Sequence, residues 1–400
     1  MSLVVQTAES QFPSQQKQID LGWFDEATYR TRLELAGLPA DAAAAVAAKT
    51  AATRRESVVA ETALVTTEFL CDQKPFAPKW PEHPASDSST PEIATKQPLI
   101  RSKKALRASS SKVTDLLATA IAIQEQDAAA AGQIGYMARA MIWASMPHRK
   151  IDGAHYKRDN GLASITMLVD PEIGLPYGKL PRLISAWLTR EAKRTGEREL
   201  LLGRSLSEFA GKLGLSTNGG LRGDTSRLKM QATKLFSTFV SLKAHHGQDF
   251  AYKNVALSDE GMLLWNPKKP NEPSLWESTI TLSEAFFQEC MDYAVPFDLR
   301  VLHCLRSPLA IDIYLWLTWR MFILRRPVLI PWVSLRQQFG VGYAFTNQGM
   351  AHFRAEFHRC LHDVHALYST ARLSFEQDGL RLFPSPPHVN ASSSFANLGT

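Results

Sequence analysis

RSLSEFAGKLGLSTNGGLRGDTSRLKMQATKLFSTFVSLKA, residues Arg204–Ala244, decides how the rest of the chain is read. Two helical patterns flank a glycine-rich break. In the first, Leu206, Phe209, Leu213 and Leu215 are the apolar positions. Ser205 is placed to N-cap it and Glu208, three residues on, completes a capping box. Gly214 and the run Ser216–Gly220 stop it. The second helix starts near Asp224, a good N-cap. Leu228, Ala232, Leu235, Phe239 and Leu242 recur at steps of four and three, which predicts one buried stripe continuing toward Ala244. The opposite face carries Ser226, Arg227, Met230, Thr233, Lys234, Ser237 and Ser241, with Lys229 on its flank and no carboxylate after Asp224. Helix, glycine-containing turn and amphipathic helix with a cationic face is the pattern of a helix-turn-helix reader of DNA. The plain alternative is a surface helix hairpin with a solvated polar face.

The residues that follow favour the DNA reading. Gln248–Ala256 alternates and is rich in apolar and aromatic residues, Ser258–Gly261 is a turn, and Met262–Trp265 is a second short strand. Two strands after a recognition helix predict a wing, whose usual contacts are phosphates or the minor groove. Lys253, Lys268 and Lys269 are candidate contacts there. Upstream, Pro181–Thr195 reads as an amphipathic helix with Leu183, Ile184, Trp187 and Leu188 inward, and Glu199–Gly203 as a short strand. Val113–Ala131 and Gln133–Met146 read as helices, and Leu162–Asp170 as a strand.

The last third repeats the order without a close residue-level repeat. Phe297–Leu305 and Pro308–Leu324 read as helices and Val328–Ile330 as a strand. Pro331–Phe339 is a helix and Gly340–Asn347 a turn. Gln348–Tyr368 is a long helix burying Phe353, Phe357, Leu361, Val364 and Leu367. Ala371–Glu376 and Leu380–Phe383 flank the turn Gln377–Gly379 as a second wing. The predicted fold class is therefore α+β, mostly helical, with two tandem winged-helix domains at 113–290 and 291–390. Ahead of them stand a disordered start at 1–20, an Ala-rich helical segment at 21–71 and a Pro/Ser-rich linker at 72–112, and a tail at 391–400 follows. The linker carries six prolines between Pro75 and Pro98 and ends in a basic cluster, Arg101, Lys103, Lys104, Arg107 and Lys112.

Composition limits the partners. The 400 residues are 45% hydrophobic and carry a net charge of +6, a globular chain with a mild preference for polyanions. The four cysteines, Cys71, Cys290, Cys304 and Cys360, form no CxxC pair, so they read as reduced thiols rather than as disulfides or a zinc site. Met1–Ser10 has no basic head or apolar run. Leu309–Leu324 is interrupted by Asp312 and Arg320 and is shorter than the ~20 residues a bilayer needs. A soluble, cytoplasmic protein with no membrane contact and no cofactor is expected.

Several motifs resemble the plasmid RepA-type replication initiators. They are YGKLPRLISAWLTREAKRT (Tyr177–Thr195), ELLLGRSLSEFAGKLGL, the Gly-Gly turn with RLKMQATKLF, PFDLRVLHCLRSPLAIDIYLWLTWRM (Pro296–Met321), LIPWVSLRQQFG and LRLFPSPPHV. The resemblance spans about Gly135–Val389. It implies initiation of plasmid replication by binding double-stranded origin DNA, often at short direct repeats. It also implies recruitment of the host replication initiator and helicase, and it allows repression of the protein's own gene and self-association.

The candidate DNA contacts follow from the chemistry. Ser216, Thr217, Asn218 and Arg222 in the turn, with Lys229 and Lys234, suit phosphates. Ser226, Arg227 and Met230 lie where a recognition helix meets base edges. Arg227 suits guanine and the Met230 thioether a thymine methyl, with Thr233 on the same face. Lys253 is the wing contact. On the second long helix the contacts are Arg354, His358, Arg359 and His362, with His365 nearby. A metal site built from His358, His362 and His365 is the weaker reading, because this face belongs to a presumed reading helix and histidine also donates to phosphate. No GxxxxGK[ST] run is present, and His245-His246 lacks the spacing of a nicking enzyme's metal pair, so no enzymatic activity is expected. Two other functions compete: a winged-helix transcriptional repressor with no replication role, and a scaffold whose basic faces are incidental.

Overall fold

A computed structural model describes residues 103–159, 163–215, 224–246 and 249–389, with a few helical positions between residues 30 and 48. Those few belong to a separate compact unit, residues 1–59, in which Arg30 and Glu34 pair one helical turn apart at 2.8 Å. Apart from those few positions, the expectations for the Ala-rich segment, for most of the linker, for the start and for the tail lie outside the described residues. The rest is an α+β unit with four small antiparallel sheets among the described residues.

The elements run α1 (Lys103–Glu125), β1 (Ile134–Ala138), α2 (Arg139–Ala144), β2 (His155–Asp159), β3 (Ala163–Leu168), α3 (Lys179–Thr195), β4 (Glu199–Gly203), α4 (Leu206–Lys212), α5 (Asp224–Phe236), β5 (Phe239–His246), β6 (Asp249–Ala256), β7 (Ser258–Met262) and β8 (Ser278–Leu282). They continue with α6 (Glu284–Tyr293), β9 (Ala294–Asp298), α7 (Leu299–Cys304), α8 (Pro308–Ile323), β10 (Val328–Pro331), α9 (Trp332–Phe339), α10 (Asn347–Leu367), β11 (Leu373–Phe375) and β12 (Gly379–Leu382).

These elements spell one pattern twice. Without β2, β3, β5 and β6, the first half reads helix, strand, short helix, long helix, strand, helix, helix, strand, strand. The second half, α6 to β12, reads the same. The sheets agree: β4-β8-β7 in the first half and β10-β12-β11 in the second each place the third strand in the middle. β1 and β9, the equivalent strands, pair antiparallel with each other from Ile134↔Asp298 to Ala138↔Ala294. The four extra strands, from two separate places in the chain, join into one sheet, β2-β3-β5-β6.

The core lies between the two repeats. α8 is apolar on all sides, so it can only be an interior helix, and Leu309 through Met321 are all buried. Its two charged residues are buried with it. Asp312 meets Arg182 of α3 at 2.5 and 2.6 Å, Ser145 Oγ donates to the same carboxylate at 2.6 Å, and His148 lies at 2.9 Å. Arg182 also donates to the carbonyls of Met146 (2.5 Å) and Gly178 (2.6 Å). Burial alone would push the Asp312 carboxyl up. The adjacent guanidinium and the hydrogen bonds from Arg182 and His148 win, and hold it well below the usual carboxylate range.

Several expected elements take another form, for long-range reasons. Gln133–Met146 is not one helix: Ile134–Ala138 is a strand because β9 pairs with it, and Gly135 admits the Phe297 ring, which a Cβ would meet at 2.6 Å. Likewise residues 294–298 are a strand, and the helix expected from Phe297 starts at Leu299. α1 begins at Lys103, within the stretch read as linker, and stops at Glu125 rather than Ala131. Arg300 takes the Ala122 and Gln126 carbonyls at 2.8 and 2.9 Å, and Asp127 accepts from the Ala130 N–H in the turn that follows. α5 ends at Phe236 rather than near Ala244. Thr238 Oγ1 takes the Lys234 carbonyl, and Phe239–His246 pairs with β3 on one side and β6 on the other. The stripe therefore breaks: Leu228, Ala232 and Leu235 are fully buried, whereas Phe239 is 58% exposed. The wing is also rearranged. β6 joins the extra sheet, and β7 pairs with β8, not with Gln248–Ala256.

Candidate nucleic-acid interface

The local logic of Arg204–Leu215 holds in three dimensions. Ser205 Oγ accepts from the Glu208 N–H at 3.1 Å, and Glu208 Oε2 accepts from Arg204 N–H at 2.8 Å, one residue before the position a regular capping box uses. Gly203 makes the approach possible. Its φ is +105° and a Cβ there would meet the Glu208 carboxylate at 2.6 Å. Leu206, Phe209, Ala210 and Leu213 of this helix are buried, as are Leu228, Ala232 and Leu235 of α5. Gln231, on the buried side, accepts from the Tyr177 N–H at 2.9 Å.

That packing decides what α5 shows to solvent. Arg227 is exposed and Met230 is 40% exposed, with Thr233 and Lys234 half-buried beside them. Thr233 Oγ1 donates to the Lys229 carbonyl. Ser216, Thr217, Asn218 and Arg222 lie outside the described residues, as does the side chain of Ser226.

Two of the expected phosphate contacts, Lys229 and Lys253, have other partners. Lys229 donates to the Trp265 carbonyl at 2.6 Å, fastening α5 to the loop between β7 and β8. That loop is anchored at its other side by Trp265, which stacks on Phe209 at 4.9 Å and donates to the Gly203 carbonyl at 3.1 Å. Lys253 pairs at 2.8 Å with the buried Glu289, which Arg139 also approaches at 3.5 Å. Lys253 is therefore a structural cation of the sheet's inner face rather than a wing contact. Lys234 lies 5.9 Å from the Tyr177 ring, and its ammonium is 2.9 Å from where a Cβ on Gly174 would stand. Partial burial, then the charge of Lys150, lowers its pKa.

The equivalent helix of the second repeat is α10. Thr346 caps it, accepting from the Gly349 N–H at 3.0 Å. Phe353, Phe357, Leu361, Val364 and Leu367 are buried as the periodicity requires. Arg354, His358 and His362 fall at steps of four on one side. The Arg354 guanidinium lies 5.2 Å from the Trp332 ring, His358 stacks on Phe375 at 3.7 Å, and His362 is exposed. Burial, then the charges of Arg354 and His362, lowers the His358 pKa. Arg359 is on a different side, paired with Glu356 and 3.7 Å from Asp363, which Lys112 of α1 also holds. His365 meets the Ala371 carbonyl at 3.1 Å. The three histidines do not converge, and among the described residues no group of three His, Cys, Asp or Glu side chains could hold a metal.

Residues that periodicity passed over complete the surface. Arg149 and Lys150 follow α2. Arg149 donates to the Gly342 carbonyl at 3.2 Å, in the turn between α9 and α10, so a cation of the first repeat touches the helix-turn-helix of the second. In that same turn Phe345 is 76% exposed above the Arg336 guanidinium, 3.7 Å from its ring. The basic run His148-Arg149-Lys150 lies just past the helix expected over Gln133–Met146, where periodicity assigns it no role.

Residues 175–331 match the family model described as plasmid encoded RepA protein, a stretch that begins just before α3 and ends with β10. The match lies within the span of the motifs quoted above and supports a RepA-type replication-initiator family. No curated protein matches the chain. Among solved structures, the crystal structure of selenomethionine derivatives of domains 2 and 3 of RctB is similar, at a TM-score of 0.40 and 11% identity, over 64% of this chain and all of that one. No helix among the described residues is long and apolar enough to cross a membrane.

Proposed function

We propose, starting from the RepA-type match, that this protein is a plasmid replication initiator that binds double-stranded origin DNA through two winged-helix heads. The observation that carries this reading is the repeat. In each half a helix, a strand and two helices precede a pair of strands, and the last strand lies between the other two. That order supports reading each half as a winged helix, with α5 and α10 as the reading helices and the β7–β8 and β11–β12 connections as the wings. Each reading helix has an exposed arginine, Arg227 and Arg354. Phosphate contacts fix the register and Arg227 with Met230 reads bases.

Two heads in one chain reach successive major grooves without dimerisation, which suits short direct repeats. Opening the origin then depends on DNA deformability and on recruited host initiator and helicase, since no ATP-binding motif is present. The role needs no cofactor and no membrane. The test is a nuclease footprint of the full chain on the DNA flanking its gene, together with maintenance of a plasmid carrying that DNA. Protection of direct repeats, and plasmid loss when Leu235→Asp disrupts the α4–α5 unit, support initiation. Protection of a single inverted repeat with no effect on plasmid maintenance points to a repressor, and no footprint at all points to a scaffold.

A further inference from the structure

The sheet β2-β3-β5-β6 has no counterpart in the second repeat, so the reading-head pattern does not account for it. Its inner face is core: Met167, Val240, Leu242 and Val255 are buried. Its outer face is built differently. The register sets Leu168 beside Phe239 and Lys243 beside Tyr252. Leu168, Phe239 and Tyr252 are 46%, 58% and 64% exposed. His155, Lys157 and Lys243 are exposed on the same alternation, and the row between the two aromatic positions is Lys157, Thr166, Ser241 and Asn254. Among the described residues in that register, Asp159, at the end of edge strand β2, is the acidic one.

We propose that this face binds single-stranded nucleic acid, with bases stacked on Phe239 and Tyr252 and the phosphates running past Lys157 and Lys243. Large rings held on a rigid antiparallel sheet between cations form a stacking platform, because every unpaired base offers a π-face and every nucleotide a charge. The two rings stand four residues apart along neighbouring strands, about 14 Å, which spans a few nucleotides. A duplex is a poor occupant, since its base faces are covered by their neighbours and a flat sheet face does not enter a groove. A second copy of the chain is also disfavoured. The apolar positions are split by a polar row that carries Lys157, instead of forming the one apolar centre that an interface core needs.

The platform is separate from the reading helices, so it stands whether or not duplex binding is as proposed. The test is fluorescence anisotropy of the full chain with a labelled oligo-dT of about 12 nucleotides, beside a duplex arm with the footprinted site. Tyr252→Ala and Phe239→Ala should each weaken oligo-dT binding about tenfold or more and leave duplex affinity unchanged. Phe239→Leu, which keeps an apolar side chain but removes the ring, should lose as much, so a folding defect in the alanine variant does not decide the matter. The double variant Lys157→Ala/Lys243→Ala should make the salt dependence shallower by about two contacts. The proposal fails if the wild type does not bind oligo-dT, or if the ring variants bind it like wild type. It also fails if those variants change only the mass measured by sedimentation, which would make this face a contact between copies.

Discussion

Arg182 and Asp312 join the two repeats at their equivalent long helices: Arg182 Nε lies 2.5 Å from one Asp312 oxygen and its Nη2 2.6 Å from the other. Both side chains are almost fully buried, at 1% and 7% exposure. Taking two charges out of water is expensive, so this bidentate pair, with Ser145, His148 and three backbone carbonyls around it, acts as a registration device between the halves.

Removing one partner should therefore cost more than removing both. Asp312→Ala leaves the guanidinium uncompensated and should destabilise by about 3–5 kcal/mol, whereas Arg182→Met/Asp312→Leu should recover much of that loss. Urea denaturation of the three chains measures it. Because the folded-state pKa of Asp312 is depressed, its contribution is complete above the unfolded-state value near ~4 and is lost as pH falls below it. A double variant less stable than Asp312→Ala would show that the pair has no such role.

Arg227 and Lys234 should separate in DNA binding. Arg227 is exposed near the start of α5, where a reading helix meets bases, so Arg227→Ala should reduce affinity for the cognate site by ~1–3 kcal/mol and hardly affect random duplex. Lys234→Ala should weaken both equally and reduce the salt slope by about one contact. Salt titrations by anisotropy on cognate and scrambled duplexes distinguish them. Identical behaviour of the two variants would mean α5 does not enter the groove.

Lys229, in contrast, holds the protein together. Its bond to the Trp265 carbonyl ties α5 to the β7–β8 loop, so Lys229→Met should lower stability by roughly 1 kcal/mol. The salt slope of DNA binding should not change. A shallower slope with unaltered thermal stability would return Lys229 to the phosphate contacts.

His358 should be silent between pH 8 and pH 6. Its ring is covered by Phe375 and Trp332 and faces Arg354 and His362; burial, then those charges, lowers its pKa, so protonation shifts to lower pH than for an ordinary histidine. DNA phosphates would raise that value, so any binding gain from His358 grows as pH falls and is largest below this window. Affinity at pH 8, 7 and 6 for His358→Gln should parallel wild type. A flattened profile in that variant would show that the bound state protonates this ring near neutrality.

A chain starting at residue 103 should bind the footprinted duplex as well as the full chain does, because both reading helices and α1 are retained. Starting at residue 113 instead removes the first turns of α1 with Lys112, which pairs with Asp363 of α10. The shorter chain should unfold at lower temperature. Equal melting of the two would show that these turns contribute nothing to the fold.

What the sequence determined by itself is local. The Ser205–Glu208 cap, α3, α8 and the buried stripe of α10 stand where caps and periodicity place them, since a helix satisfies its hydrogen bonds within a few residues and shows its buried face in its spacing. Tertiary structure decided which segments became strands and which cations stayed exposed. β1 is a strand because β9 lies across from it about 160 residues later, and β5 because β3 and β6 flank it, so neither choice is written in its own residues. Lys229 and Lys253 read as phosphate ligands from their charge alone, and packing gave each a distant partner, whereas Arg359 pairs with Glu356 three residues away on its own helix. A hydrophobic period shows which way a side chain points, but not which distant carbonyl or carboxylate waits there.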